Sequence, residues 1–90
     1  RTSPQALARK HLDKALIPYR MAADQARPPK GWVRAIRDAL GMTSRQLAAR
    51  MELAQSTITA MEQGEAAGTV TLNTLRQAAE ALDCQLVYAL

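Results

Sequence analysis

Met42-Thr43-Ser44-Arg45-Gln46-Leu47-Ala48-Ala49-Arg50-Met51-Glu52-Leu53-Ala54-Gln55-Ser56-Thr57-Ile58-Thr59-Ala60-Met61-Glu62-Gln63-Gly64 is the stretch on which the fold turns. Thr43 or Ser44 is placed to cap a short helix over 45–51. A second helix runs from about Gln55 to Gln63 and is expected to stop at Gly64. The few residues between them leave room only for a tight turn and a steep crossing. Leu47, Met51, Leu53, Ile58 and Met61 are spaced to meet in one small core. Ala48 is small where the two backbones come closest. Gln55, Ser56, Thr59 and Ala60 then share the outer face of the second helix. That face is short, polar and uncharged, so it can enter a DNA major groove without repelling phosphates.

Working outward, residues 4–25 read as a helix with Ser3 as its cap and Pro4 in its first position. Leu12, Leu16, Tyr19 and Ala23 form its apolar stripe, and Pro18 is expected to kink or split it near Ile17. Paired prolines in 26–31 break the chain before a helix over 32–40, with Trp32, Val33, Ile36 and Leu40 facing inward and Gly41 ending it. Residues 64–71 read as a loop. Thr71 then caps a helix to about Leu82, whose stripe is Leu72, Leu75, Ala79 and Leu82. After it the period changes to two. Cys84, Leu86, Tyr88 and Leu90 alternate with Gln85, Val87 and Ala89, a strand pattern. A lone strand has no partner in its own chain, so pairing with the same strand of a second copy is expected, giving a two-fold dimer.

Ninety residues supply one modest core. Ala and Leu dominate the apolar content, and the aromatics are one Trp and two Tyr, which favours packed helices over a sheet. The net charge of +4 is unevenly placed. Residues 1–45 hold ten Lys and Arg against three Asp, whereas 46–90 hold two Arg against five acids. A basic arm on a compact domain is an electrostatic footprint for nucleic acid. One Cys and one His make neither a metal site nor a disulfide framework, so no metal or cofactor is expected. Cys84 reads as a small buried apolar residue in a reduced compartment, which places the protein in the cytoplasm. No apolar run is long enough for a membrane span, and no secretory pattern opens the chain. His11 has no nucleophile at a suitable spacing, and Cys84 lacks basic neighbours, so no enzyme is expected.

The Met-Thr-x-x-x-Leu-Ala, Gln-Ser-Thr-Ile and Met-Glu-x-Gly elements of 42–64 resemble the lambda-repressor-like (Cro/repressor-type, xenobiotic-response-element-type) helix-turn-helix. The flanks, 27–37 and 68–90, look like the family called mobile mystery protein A, which would extend the match over nearly the whole chain. Together these imply an all-α fold: a five-helix lambda-repressor-like DNA-binding domain with an extra N-terminal helix and a short C-terminal strand pairing across a dimer. The expected organisation is a basic helix and Pro-rich linker over 1–30, the helix-turn-helix domain over 31–82 and a dimerisation strand over 83–90. That strand would use Cys84, Leu86, Val87, Tyr88 and Leu90. The resemblance further implies a dimeric repressor of its own operon acting on a palindromic operator in double-stranded DNA. The alternative it implies is an antitoxin-like module that holds a Fic-domain protein and also binds DNA, with the basic N-terminal helix available for that partner.

Residue roles follow the matching positions. Gln55 leads base reading, because its amide can contact adenine N6 and N7 together. Ser56 and Thr59 are weaker readers, and Ala60 lies beside them. Ser44, Thr43 and Thr57 are expected to hold phosphates through hydroxyls and helix N-terminal amides, with Arg45, Lys30 and Arg34 as further backbone contacts. Arg37 is expected to bridge to Glu62, tying the first domain helix to the reading helix. Two departures from the family pattern stand out. Glu52 occupies a turn position where Gly is common, so an altered turn is expected. Ala54 replaces the usual Ser before the reading helix, which removes a side-chain cap. Ser44 also replaces a commoner Gln, so a Gln–Gln pair across the two helices is not available.

Overall fold

A computed structural model describes residues 3–90 of the chain. They form α1 (Pro4–Ala15), α2 (Ile17–Ala23), α3 (Trp32–Ala39), α4 (Ser44–Met51), α5 (Gln55–Ala67) and α6 (Leu72–Ala81). Two compact units result. One comprises the described residues through Ala26 together with Val87–Leu90, and the other is Arg27–Leu86. The helix-turn-helix unit therefore contains four helices rather than five, and the N-terminal helix is two.

In the first unit, the Ser3 hydroxyl accepts from the Ala6 amide at 3.1 Å and Pro4 occupies the first turn. Pro18 cannot donate, and the helix divides at Leu16 into α1 and α2. Neither helix holds a buried residue.

The second unit packs α3–α6 around Val33, Leu47, Ala48, Ile58, Met61, Ala78 and Leu82, with Leu47 and Ile58 fully enclosed. The inward face of α3 is Val33, Ile36 and Arg37, so the inward set expected for this helix is corrected at both ends. Trp32 is 49% exposed because it lies a quarter-turn or more off that face. Leu40 is 59% exposed because α3 has ended and Leu40 is its cap. Leu53, in the turn, and Leu72, at the start of α6, are likewise exposed rather than packed.

The boundary of α5 is also corrected. The helix passes through Gly64 and ends at Gly68, which supplies the left-handed φ of 83°. Gly64 serves another purpose: its carbonyl accepts from the Thr69 and Val70 amides at 2.8 and 3.3 Å as the chain folds back. Thr71 then caps α6, accepting from the Thr74 amide.

At the other end of α6, Asp83 takes φ 58° and the Cys84 amide donates back to Ala79 O at 2.7 Å. Residues 84–90 contain no strand. The alternating pattern there is real, but a strand exists only when a neighbour completes its ladder, and the single chain offers none. Cys84 is exposed, contrary to the expectation of a buried apolar role.

Candidate nucleic-acid interface

α4 begins with a complete capping box. Thr43 Oγ1 accepts from the Gln46 amide at 3.1 Å, and the Gln46 side chain accepts from the Thr43 amide at 2.8 Å. α5 begins without one. Ala54 has the extended backbone of an N-cap (φ −74°, ψ 150°) but no side-chain acceptor. The first amides of α5 are therefore left for solvent or a bound anion. Between the helices, Glu52 adopts φ 57°, ψ 42°. The turn keeps a left-handed residue even though it is not glycine, so the sequence departure is absorbed as local strain rather than as a different turn.

Gln55 Nε2 donates to Ser44 Oγ at 2.9 Å, joining the first residue of α5 to the first residue of α4. This bond leaves Gln55 Oε1 and one N–H for a base edge, and leaves the Ser44 hydroxyl proton for a phosphate. Gln55, Ser56, Thr57, Thr59 and Ala60 are all exposed, and Ser44 is half-buried. Thr59 Oγ1 donates to Gln55 O at 3.2 Å, which commits its hydroxyl proton and turns its role toward its methyl group. Thr43 Oγ1 accepts within the capping box and, like Ser44, keeps its hydroxyl proton uncommitted. Lys30 and Arg45 are exposed, whereas Arg34 Nε sits 3.7 Å from Asp38 Oδ2.

The acids of α5 explain why its outer face is uncharged. Both point inward. Arg37 Nε and Nη2 donate to Glu62 Oε2 and Oε1 at 2.7 and 3.0 Å, a two-bond fork, while Nη1 donates to Met42 O at 2.8 Å. The structure thus brings Arg37 and Glu62 together in a buried pair. Donating to the Glu62 carboxylate raises the Arg37 pKa above its ordinary value, against the opposing effect of burial. Glu65 is the functional residue that sequence reasoning missed. Its Oε2 and Oε1 accept from the Trp32 and Val33 amides at 2.9 Å each, capping α3 from a helix more than thirty residues away. Both carboxylates of α5 thereby fasten the same helix, α3, Glu65 at its start and Glu62 near its end.

A family model described as helix-turn-helix matches residues 33–88, well over half of the chain. The chain belongs to the Cro/repressor-type helix-turn-helix family. No curated protein and no solved structure matches it. In this helix-turn-helix protein, α4 and α5 are the two motif helices, and double-stranded DNA is the ligand class that the family supports. No described helix is long and apolar enough to cross a membrane.

The two departures in the motif carry a stability prediction. A non-Gly residue in the left-handed region costs roughly 1–2 kcal/mol, part of which glycine returns as unfolded-state entropy. Glu52→Gly is therefore expected to stabilise the helix-turn-helix by about 0.5–1 kcal/mol. Ala54→Ser restores a cap and is expected to add about 1 kcal/mol. Each would raise the midpoint of a thermal melt by a few degrees. A lower midpoint for Glu52→Gly would mean that the Glu52 side chain makes a contact worth more than its backbone strain.

Proposed function

We propose that the chain is a sequence-specific, DNA-binding transcriptional regulator that acts as a dimer and represses its own operon. The observation that carries this reading is the exposed outer face of α5. It carries no charged residue from Gln55 to Ala60, and the acids that follow on α5 are turned inward, Glu62 onto Arg37 and Glu65 onto the Trp32 and Val33 amides. Gln55 is its leading reader, held from behind by Ser44. Ser56, Thr59 and Ala60 present small groups to neighbouring bases, and Ser44, Thr43, Thr57, Arg45, Lys30 and Arg34 take phosphates. Two copies would set their α5 helices one helical turn apart, ~34 Å, on a palindromic operator. The alternating tail, with Cys84, Leu86, Val87, Tyr88 and Leu90, is suited to gain its missing ladder from a second copy. The finer resemblance to the mobile mystery protein A family is what favours an operator beside the protein's own gene.

Footprinting on the DNA upstream of that gene tests the reading. Two protected half-sites about one turn apart are expected, with affinity falling steeply as salt rises. Gln55→Ala is expected to reduce the preference for the operator over random DNA by about 10- to 100-fold, the worth of one bidentate base contact. Lys30→Ala should weaken binding to all sequences alike and shallow the salt dependence. Equal affinity of the unaltered protein for operator and random DNA would overturn the sequence-specific reading.

A further inference from the structure

α1 and α2 bury nothing, yet they carry Leu7, Leu12, Ile17, Tyr19 and Met21 at the surface. Their helical phase continues across the joint, since Leu16 itself has an αR backbone and donates to Leu12 O at 2.9 Å. The Arg20 Nη2 to Asp13 Oδ1 contact of 3.1 Å spans the joint at a separation of seven residues, about two turns, which places both on one face. Ala8, Leu12, Leu16, Tyr19 and Ala23, spaced four, four, three and four, consequently line a single stripe. Leu12 is 58% and Tyr19 40% exposed on it. By the same spacing the opposite face interleaves Lys10 and Lys14 with Leu7, Ile17 and Met21, so its apolar surface is broken by charge where the stripe is continuous.

The stripe has the same size pattern read from either end: small, large, large, large, small. Set antiparallel about Leu16, Ala8 meets the partner's Ala23, Leu12 meets the partner's Tyr19, and Leu16 meets the partner's Leu16. The charges at its edge centre on the same axis to within one residue. Arg9 faces the partner's Asp24, and Asp13 faces the partner's Arg20. We propose that a second copy of this chain covers the stripe, with α1–α2 pairing antiparallel about a two-fold axis at Leu16. Such an isologous contact is self-complementary by construction, as this stripe is. Val87–Leu90 belong to the same compact unit, so a paired tail can share that axis. The contact lies outside the helix-turn-helix unit and is measured without DNA, so its failure leaves the DNA-binding reading standing.

Sedimentation equilibrium on the full chain tests it. The unaltered protein should be a dimer at micromolar concentration, and Leu16→Asp should raise the dimer dissociation constant by ~100-fold or more, since each change counts twice at a two-fold axis. Asp24→Arg should weaken the dimer about fivefold, and adding Arg9→Asp should restore it. If Leu16→Asp also unfolds α1–α2 by circular dichroism, cysteine cross-linking decides. In a Cys84→Ser background, Leu16→Cys should oxidise to a disulfide-linked dimer while Lys10→Cys on the opposite face should not. A monomeric parent, an undiminished dimer in folded Leu16→Asp, or equal cross-linking at both positions would overturn the proposal. The second of these results would assign association to the tail or another surface.

Discussion

Glu62→Ala is expected to destabilise the helix-turn-helix unit by about 3–5 kcal/mol, the cost of leaving one half of a buried ion pair uncompensated. Arg37 retains 8% of its surface and donates three hydrogen bonds, two of them to Glu62. Without that carboxylate the guanidinium keeps Met42 O as its buried acceptor and has Asp38 Oδ1 at 3.5 Å on the exposed side. Neither replaces a charge-assisted fork. Small domains have total stabilities near the low end of about 5–15 kcal/mol, so a margin of only about 0–2 kcal/mol would remain and up to about half of the folded population would be lost at 25 °C. Urea unfolding followed by circular dichroism measures this directly. A loss below about 1 kcal/mol would show that Arg37 swings out to water and that the pair is not structural.

The companion experiment separates the pair from its worth. Buried ion pairs often break even against apolar residues of similar volume. Arg37→Met with Glu62→Leu should therefore recover most of the stability that either single change removes. DNA discrimination is a separate quantity. The pair fixes α3 to the middle of α5, so the apolar version is expected to fold well and read its operator less sharply, if the fork rather than packing sets the angle of α5. Arg37→Lys should not substitute, because an ammonium cannot form the planar two-bond fork.

Much of this architecture was legible in side chains that act locally. Ser3, Thr43 and Thr71 cap the helices that follow them, and Pro18 divides α1 from α2, because a hydroxyl acceptor and a missing N–H act within one turn. What misled was whatever depended on distant partners. Gly64 and Gly68 lie four residues apart, and composition alone cannot say which one takes the left-handed cap. The answer depends on the backbone of 69–70 folding onto Gly64 O. On α3 the third inward position is Arg37, a residue that apolar periodicity discounts. It is buried because Glu62 comes to it from another helix, a pairing that the family resemblance implied although apolar spacing did not. Trp32, Leu40, Leu53 and Leu72 look like core residues by type, but each sits at a helix end or in a turn, past the last packed layer. The outer face of α5 was legible for the opposite reason: exposure there follows from the inward spacing of Ile58 and Met61. The neutrality of that face was visible in the sequence. The inward disposal of both acids was visible only for Glu62, through the family resemblance.

Glu65→Ala is the second large loss expected, at about 3 kcal/mol. Hydrogen bonds to charged groups contribute roughly 1.5–3 kcal/mol each, and a buried donor left without an acceptor adds its desolvation cost. Two donors are at stake here, the amides of Trp32 and Val33, each 2.9 Å from one Glu65 oxygen. The start of α3 has no local replacement, because Gly31 carries no side chain and its φ of 90° disfavours any residue that does. Nor is there room for one: a Cβ at Gly31 would lie 2.8 Å from Glu65 Oε1. Gly31→Ala is therefore expected to be costly as well, by strain and by displacing the same carboxylate. Glu65→Gln distinguishes the electrostatic part. It keeps one carbonyl acceptor but turns an NH2 toward the second amide, so it should recover only part of the loss, to about 2 kcal/mol. Amide hydrogen exchange at Trp32 and Val33 gives a local readout that global unfolding cannot mimic. Under native conditions both should lose protection in Glu65→Ala while Leu47 and Ile58 keep theirs relative to the new global stability. Unchanged exchange at the two amides would mean that water caps α3 as well as Glu65 does. In that case the carboxylate's burial on α5 would serve only to keep negative charge off the outer face of that helix.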